Sequence, residues 1–158
     1  MIAIAKTNIH YLTLFFAVVL FAPLIGNQLI TGTIVNATLF VAVATIGLRA
    51  GFVLSIIPSI IAVVTGLLPI ILAPIIPYII VSNIILVVVF DKIKNKVFGI
   101  LLASLSKFTF LFIISHFVVT FLVKSDLLSI MFGWTQLLTA IMGGCLAYII
   151  LDLKGRIC

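Results

Sequence analysis

Residues 47–96 read GLRAGFVLSIIPSIIAVVTGLLPIILAPIIPYIIVSNIILVVVFDKIKNK. No charged residue stands between Arg49 and Asp91, and then Asp91, Lys92, Lys94 and Lys96 follow almost at once. A membrane-spanning helix takes about 20 predominantly apolar residues. The uncharged stretch is therefore long enough for two spans with a join near its middle. That join carries Gly66, Pro69, Pro74 and Pro77. Prolines remove backbone donors and bias the preceding residue away from helix, so the segment cannot be one uninterrupted helix. It is wholly apolar nonetheless. Irregular backbone at membrane depth is tolerated only when it is buried in protein or lines a cavity.

The whole chain repeats this alternation of apolar runs and short polar breaks. Of 158 residues, 65% are hydrophobic and 8% charged, against roughly 25% charged in an average soluble domain. Mean hydropathy is +1.56. So few charges cannot cover the surface of a soluble domain, and disorder requires the opposite composition. The expectation is an all-α membrane protein, a six-transmembrane-helix bundle forming one integral membrane domain over residues 1–158. The expected helices span about 9–25, 30–48, 51–66 (with Pro58 as a possible kink), 74–90, 97–123 and 127–151. The first apolar run has no small-residue cleavage site after it, so it reads as a retained helix rather than a signal peptide.

Charge sets the expected orientation, because Lys and Arg accumulate on the cytoplasmic side. With six spans, one side collects Lys6, Arg49, Lys92, Lys94, Lys96, Lys154 and Arg156, and the other only Lys124. Both termini are then cytoplasmic. The net charge of +6 does not point to nucleic acid, since the cations sit in breaks between apolar runs rather than on a soluble face. Cys145 and Cys158 form no CxxC spacing, so neither a metal site nor a cofactor is expected.

Given this topology, each polar residue inside an apolar run acquires a depth at about 1.5 Å per residue. Asn27 and Gln28 fall at the outer ends of helices one and two. Asn36 lies about two turns in, Tyr78 and Asn83 lie in the outer half of helix four, and His116 lies near the outer end of helix five. Trp134 and Gln136 fall in the outer half of helix six. Polar groups facing lipid are costly, so these should converge on one another or on a cavity. An outward-facing pocket with a few amides and aromatic walls suits a small-molecule substrate. The plainer readings are interhelical hydrogen bonding for Asn36 and Gln136, and membrane-interface aromatics for Tyr78 and Trp134. His116 without acidic neighbours is a poor metal ligand.

Lys107 is the costliest residue, near the middle of helix five. It either snorkels toward the cytoplasm, partners an anionic ligand, or has its pKa lowered by burial. The only acidic residues, Asp91, Asp126 and Asp152, all fall in breaks or at a helix end. Ion-coupled carriers usually place a carboxylate in the membrane, so a self-powered transporter is disfavoured. No paired carboxylates, nucleophile–base motif or phosphate loop supports an enzyme. Ala140, Gly143, Gly144 and Ala147 on helix six give small residues four apart, which permit close helix approach.

The plan of six helices, together with GLRAGFVLSIIPSIIAVVTGLLPIILAPIIPYIIVSNIILVVVF (47–90), NQLITGTIVNATLF (27–40) and GWTQLLTAIMGGCLAYIIL (133–151), resembles the substrate-binding S components of energy-coupling factor (ECF) transporters. It is similar to a small subgroup of them sometimes labelled iron hydrogenase, although two separated cysteines cannot hold hydrogenase clusters. The resemblance implies an outer loop between helices three and four that closes over a vitamin or other micronutrient. Pro69, Pro74 and Pro77 would form that gate, with Asn83 beneath it. It also implies a membrane coupling subunit and two cytoplasmic ATPases as partners, and a prokaryotic inner membrane as the location. One departure stands out. The family docks on its coupling subunit through alanines four apart on helix one, whereas Ala17 and Ala22 here are five apart. Docking would then use another surface, with helix six as the candidate. The competing readings are an accessory or structural subunit of a larger complex and a small uncoupled channel.

Overall fold

The computed structural model describes residues 2–66, 74–121, 133–153 and 155. Among these residues lie six α-helices, α1 (Ile2–Phe21), α2 (Gln28–Thr45), α3 (Leu48–Val64), α4 (Ile76–Lys92), α5 (Lys96–Phe121) and α6 (Trp134–Leu153). No strand occurs among the described residues. The segments Gln28–Thr45, Lys96–Phe117 and Trp134–Leu153 are long and apolar enough to cross a membrane, while Ile9–Ile25 and Leu48–Val64 are apolar but shorter. Pro69, Lys124 and residues 127–132, expected in the gate, an outer loop and the start of the sixth helix, lie outside the described residues.

The helix ends differ from expectation for local reasons. The first helix begins earlier, and Pro23 converts its end into a 3-10 turn, Ala22–Ile25, closed by left-handed Gly26. Asn27 then caps α2, its Oδ1 accepting from the N–H groups of Leu29 and Ile30 at 3.0 and 3.2 Å. Such a cap satisfies donors that the first turn leaves free. At its other end α2 stops at Thr45, short of the expected residue 48, because Gly47 takes φ 115° and starts α3. A side chain there would be strained. Helix α3 continues through Pro58. Helix α4 starts at Ile76 with Pro77 in its first turn, a position where the missing N–H costs nothing.

The bundle is apolar on the outside as well as within. Phe16, Phe52, Ile56, Phe98, Leu105, Phe112 and Ile149 are all exposed. An apolar surface this extensive would aggregate in water and is the natural face toward lipid. Inside, Phe40 and Phe90 meet edge to face with ring centroids 4.9 Å apart. They pack with Leu39, Leu54, Leu86 and Leu151 into one solid cluster. That cluster lies toward the end of the bundle where α2 finishes, α3 begins and α4 finishes. The four small residues of α6 are all buried. A Cβ on Gly143 would come within 2.7 Å of the Thr33 carbonyl and 2.8 Å of the Ala37 nitrogen, so the α2 and α6 backbones touch here. The neighbours of this stripe are thus internal helices.

Candidate functional site

Lys107 projects from the middle of α5 into the interior, only 3% exposed. It does not snorkel. Its Nζ donates to Asn36 Oδ1 at 2.8 Å and to Asn83 Oδ1 at 2.7 Å. An ammonium has donors only, so both amide oxygens must face it and both amide NH2 groups must turn outward to acceptors. They do. Asn36 Nδ2 donates to Thr139 Oγ1 at 3.4 Å, and Asn83 Nδ2 donates to the Ser55 carbonyl at 3.2 Å. Thr139 passes its own proton to the Gln136 carbonyl at 3.1 Å. One amine thereby ties α5 to α2 and α4 directly, and to α6 and α3 through the two asparagines. Each link replaces an unsatisfied polar group in an apolar interior.

A cavity of about 110 Å³ adjoins this network. Lys107, Asn36 and Asn83 lie along it with Ser59 and Thr139, and Gln28 and Gln136 lie near its other end. Val35, Pro58, Ala62 and Ile79 supply apolar wall. Since Gln28 opens α2, Gln136 falls in the first turn of α6, and Ala62 falls in the last turn of α3, the cavity extends toward the end of the bundle opposite the Phe40–Phe90 cluster. The walls include a glycine for a reason of space. A Cβ on Gly32 would sit 3.0 Å from the Thr139 side chain. Ser59 is buried, and its hydroxyl has no hydrogen-bond partner among the described residues.

Of the eight expected binding residues, Gln28, Asn36, Asn83 and Gln136 are brought together on the cavity, and Lys107 joins them. The other four are placed elsewhere. Asn27 is consumed in capping α2. Tyr78 packs in an apolar cluster around Ile75 and Leu111 that borders the cavity through Ala62 and Ile79, and does not itself line it. His116 is on the exposed face of α5. Trp134 is 76% exposed, and its ring lies against Phe108 with centroids 5.4 Å apart. Pro74 and Pro77 are exposed at the start of α4. Thr31, Ser59 and Thr139 line the cavity without having been singled out in the sequence. Hydroxyls in apolar helices often bond their own preceding turn, as Thr38 and Ser55 do here. Nothing in the sequence separates these from cavity hydroxyls. No cluster of metal-ligating side chains is found among the described residues.

No family model, curated protein or solved structure matches this chain.

Proposed function

We propose that the chain is the substrate-capturing S component of an ECF-type importer of a vitamin or other micronutrient. It would cross a prokaryotic inner membrane six times with both termini in the cytoplasm. It binds its substrate in the outer half of the bundle, and its energy comes from a coupling subunit and ATPases in other chains. The observation that carries this reading is a mostly apolar cavity inside the bundle into which amides from α2, α4 and α6 and one buried amine are gathered. Polar groups at membrane depth are costly unless they serve packing or a ligand. Packing alone leaves the open space beside them without a role.

The accessory-subunit reading has one observation in its favour. Asn36 and Asn83 are already satisfied by the protein itself. Native mass spectrometry separates the two readings. Protein purified in mild detergent from cells in rich medium is expected to carry a stoichiometric small molecule, and Asn83→Ala is expected to release it. Bare protein, or heterogeneous lipid only, would favour the accessory subunit.

A further inference from the structure

We infer that the occupant of the cavity is a small monocarboxylate, its carboxylate bound by Lys107 and Ser59 and its apolar body lying against Val35, Pro58, Ala62 and Ile79. This rests on reading the cavity as a binding site.

The first observation is an electrostatic imbalance. Lys107 is held by two neutral amide oxygens. No carboxylate among the described residues pairs with it, and Asp91 and Asp152 stand in the last turns of α4 and α6. A buried amine with only neutral partners carries its positive charge at a cost, which an anion beside it would offset. Two of its three N–H bonds are used by the amides, which leaves the third for a ligand. The second observation is independent of charge. Ser59 borders the same cavity from α3, and its buried hydroxyl is unpartnered among the described residues. Such hydroxyls are normally satisfied. A carboxylate brings two acceptor oxygens to the cavity that these two donors share.

The remaining features select among anions. One cation and one hydroxyl balance a single negative charge, whereas a phosphate dianion would keep one charge uncompensated. Each Nδ2 group spends one N–H on Thr139 or Ser55 and keeps a second, so the amides add neutral donors but no further positive charge. The apolar wall asks for a hydrocarbon or aromatic remainder. A volume of about 110 Å³ limits that remainder to a short chain or a single ring, well below the roughly 300–1,000 Å³ of drug-sized sites.

The test uses matched acid and amide probes of one shape, benzoate with benzamide and butyrate with butyramide. Each is added at equal concentration to the purified full chain in mild detergent. A ligand that binds only the folded state raises Tm by mass action. The acids are expected to raise Tm and the amides to leave it unchanged. The Lys107→Met variant should lose the response to acid altogether. Because that variant also disturbs the asparagines, Ser59→Ala is the second arm. It removes a hydroxyl that bonds nothing, so it should fold as the parent does while its affinity for the acid falls about five- to tenfold. Amides that raise Tm where acids do not would overturn the carboxylate assignment and leave the binding site standing. So would an acid response that survives Lys107→Met. A panel with no response overturns the assignment too, and the adduct measurement above then decides separately whether capture stands.

Discussion

At the scale of single residues, the two asparagines around Lys107 look equivalent but are not. Both present Oδ1 to Nζ. Asn36 turns its NH2 to Thr139 Oγ1, a hydroxyl that can donate as well as accept. Asn83 turns its NH2 to the Ser55 carbonyl, which only accepts. Replacing either by Asp places a carboxylate on Lys107. In Asn36→Asp the second oxygen can take the Thr139 proton, at the expense of its bond to Gln136. In Asn83→Asp the second oxygen faces another acceptor. Asn36→Asp is therefore expected to keep Tm at or above the parent value. Asn83→Asp should lower stability by about 1–3 kcal/mol, the cost of leaving a buried acceptor unpaired. Both should weaken binding of an anionic ligand, because the positive charge is now met internally. Thermal denaturation of the two variants side by side checks the asymmetry. The sequence made this neighbourhood visible through cost. A lysine, two asparagines and a glutamine stand out in apolar runs because lipid rejects them. Ser59, Thr31 and Thr139 were hidden because a hydroxyl in a helix can satisfy itself on the turn before.

Among whole elements, position along a helix was readable from the sequence and direction was not. Counting from the breaks assigned Asn36, Asn83, His116, Trp134 and Gln136 to their helices. It could not say which way each pointed. Helices that are apolar all round carry no stripe marking their inner face, so Gln136 reaches the cavity while Trp134, two residues earlier, lies on the surface. Close approach between elements was partly legible, since glycines four residues from alanines on α6 announced a tight contact. The structure makes that contact specific to α2. Gly143→Ala would set its new methyl within 2.7 Å of backbone on α2 and within 2.8 Å of Asn36 Cβ. Backbone cannot rotate aside as a side chain can. The two helices must part, and Asn36 must shift relative to Thr139. The expected result is a loss of about 1–3 kcal/mol from overpacking, accompanied by weaker ligand binding. Denaturant titration and affinity measured on the same preparation check it. Unchanged affinity at reduced stability would show that the α2–α6 contact supports the fold without setting the site.

For the molecule as a whole, the two ends of the bundle are built differently. One end holds the cavity with its amides, hydroxyls and single amine. The other is packed solid by Phe40, Phe90, Leu39, Leu54 and Leu86, all fully buried. A channel needs polar or open passage through both ends. Here a solute resting beside Lys107 meets an aromatic and aliphatic plug, and passing it would require those side chains and their helices to separate. Interiors packed this tightly rearrange between discrete states rather than yielding gradually. Some source of free energy must bias the change. A proton or sodium ion coupled through a carboxylate is the usual internal source in carriers, and this sequence keeps its three acidic residues in breaks and at a helix end. On the capture reading proposed above, the energy comes from another chain. This yields an expectation about the isolated protein. Reconstituted alone in lipid vesicles, it should bind its ligand from one face and release it to the same face. Flux of a radiolabelled ligand into the lumen should not exceed that of protein-free vesicles. Sustained flux by the isolated chain would mean that the plug opens spontaneously, and the molecule would be a facilitator rather than a capturing subunit.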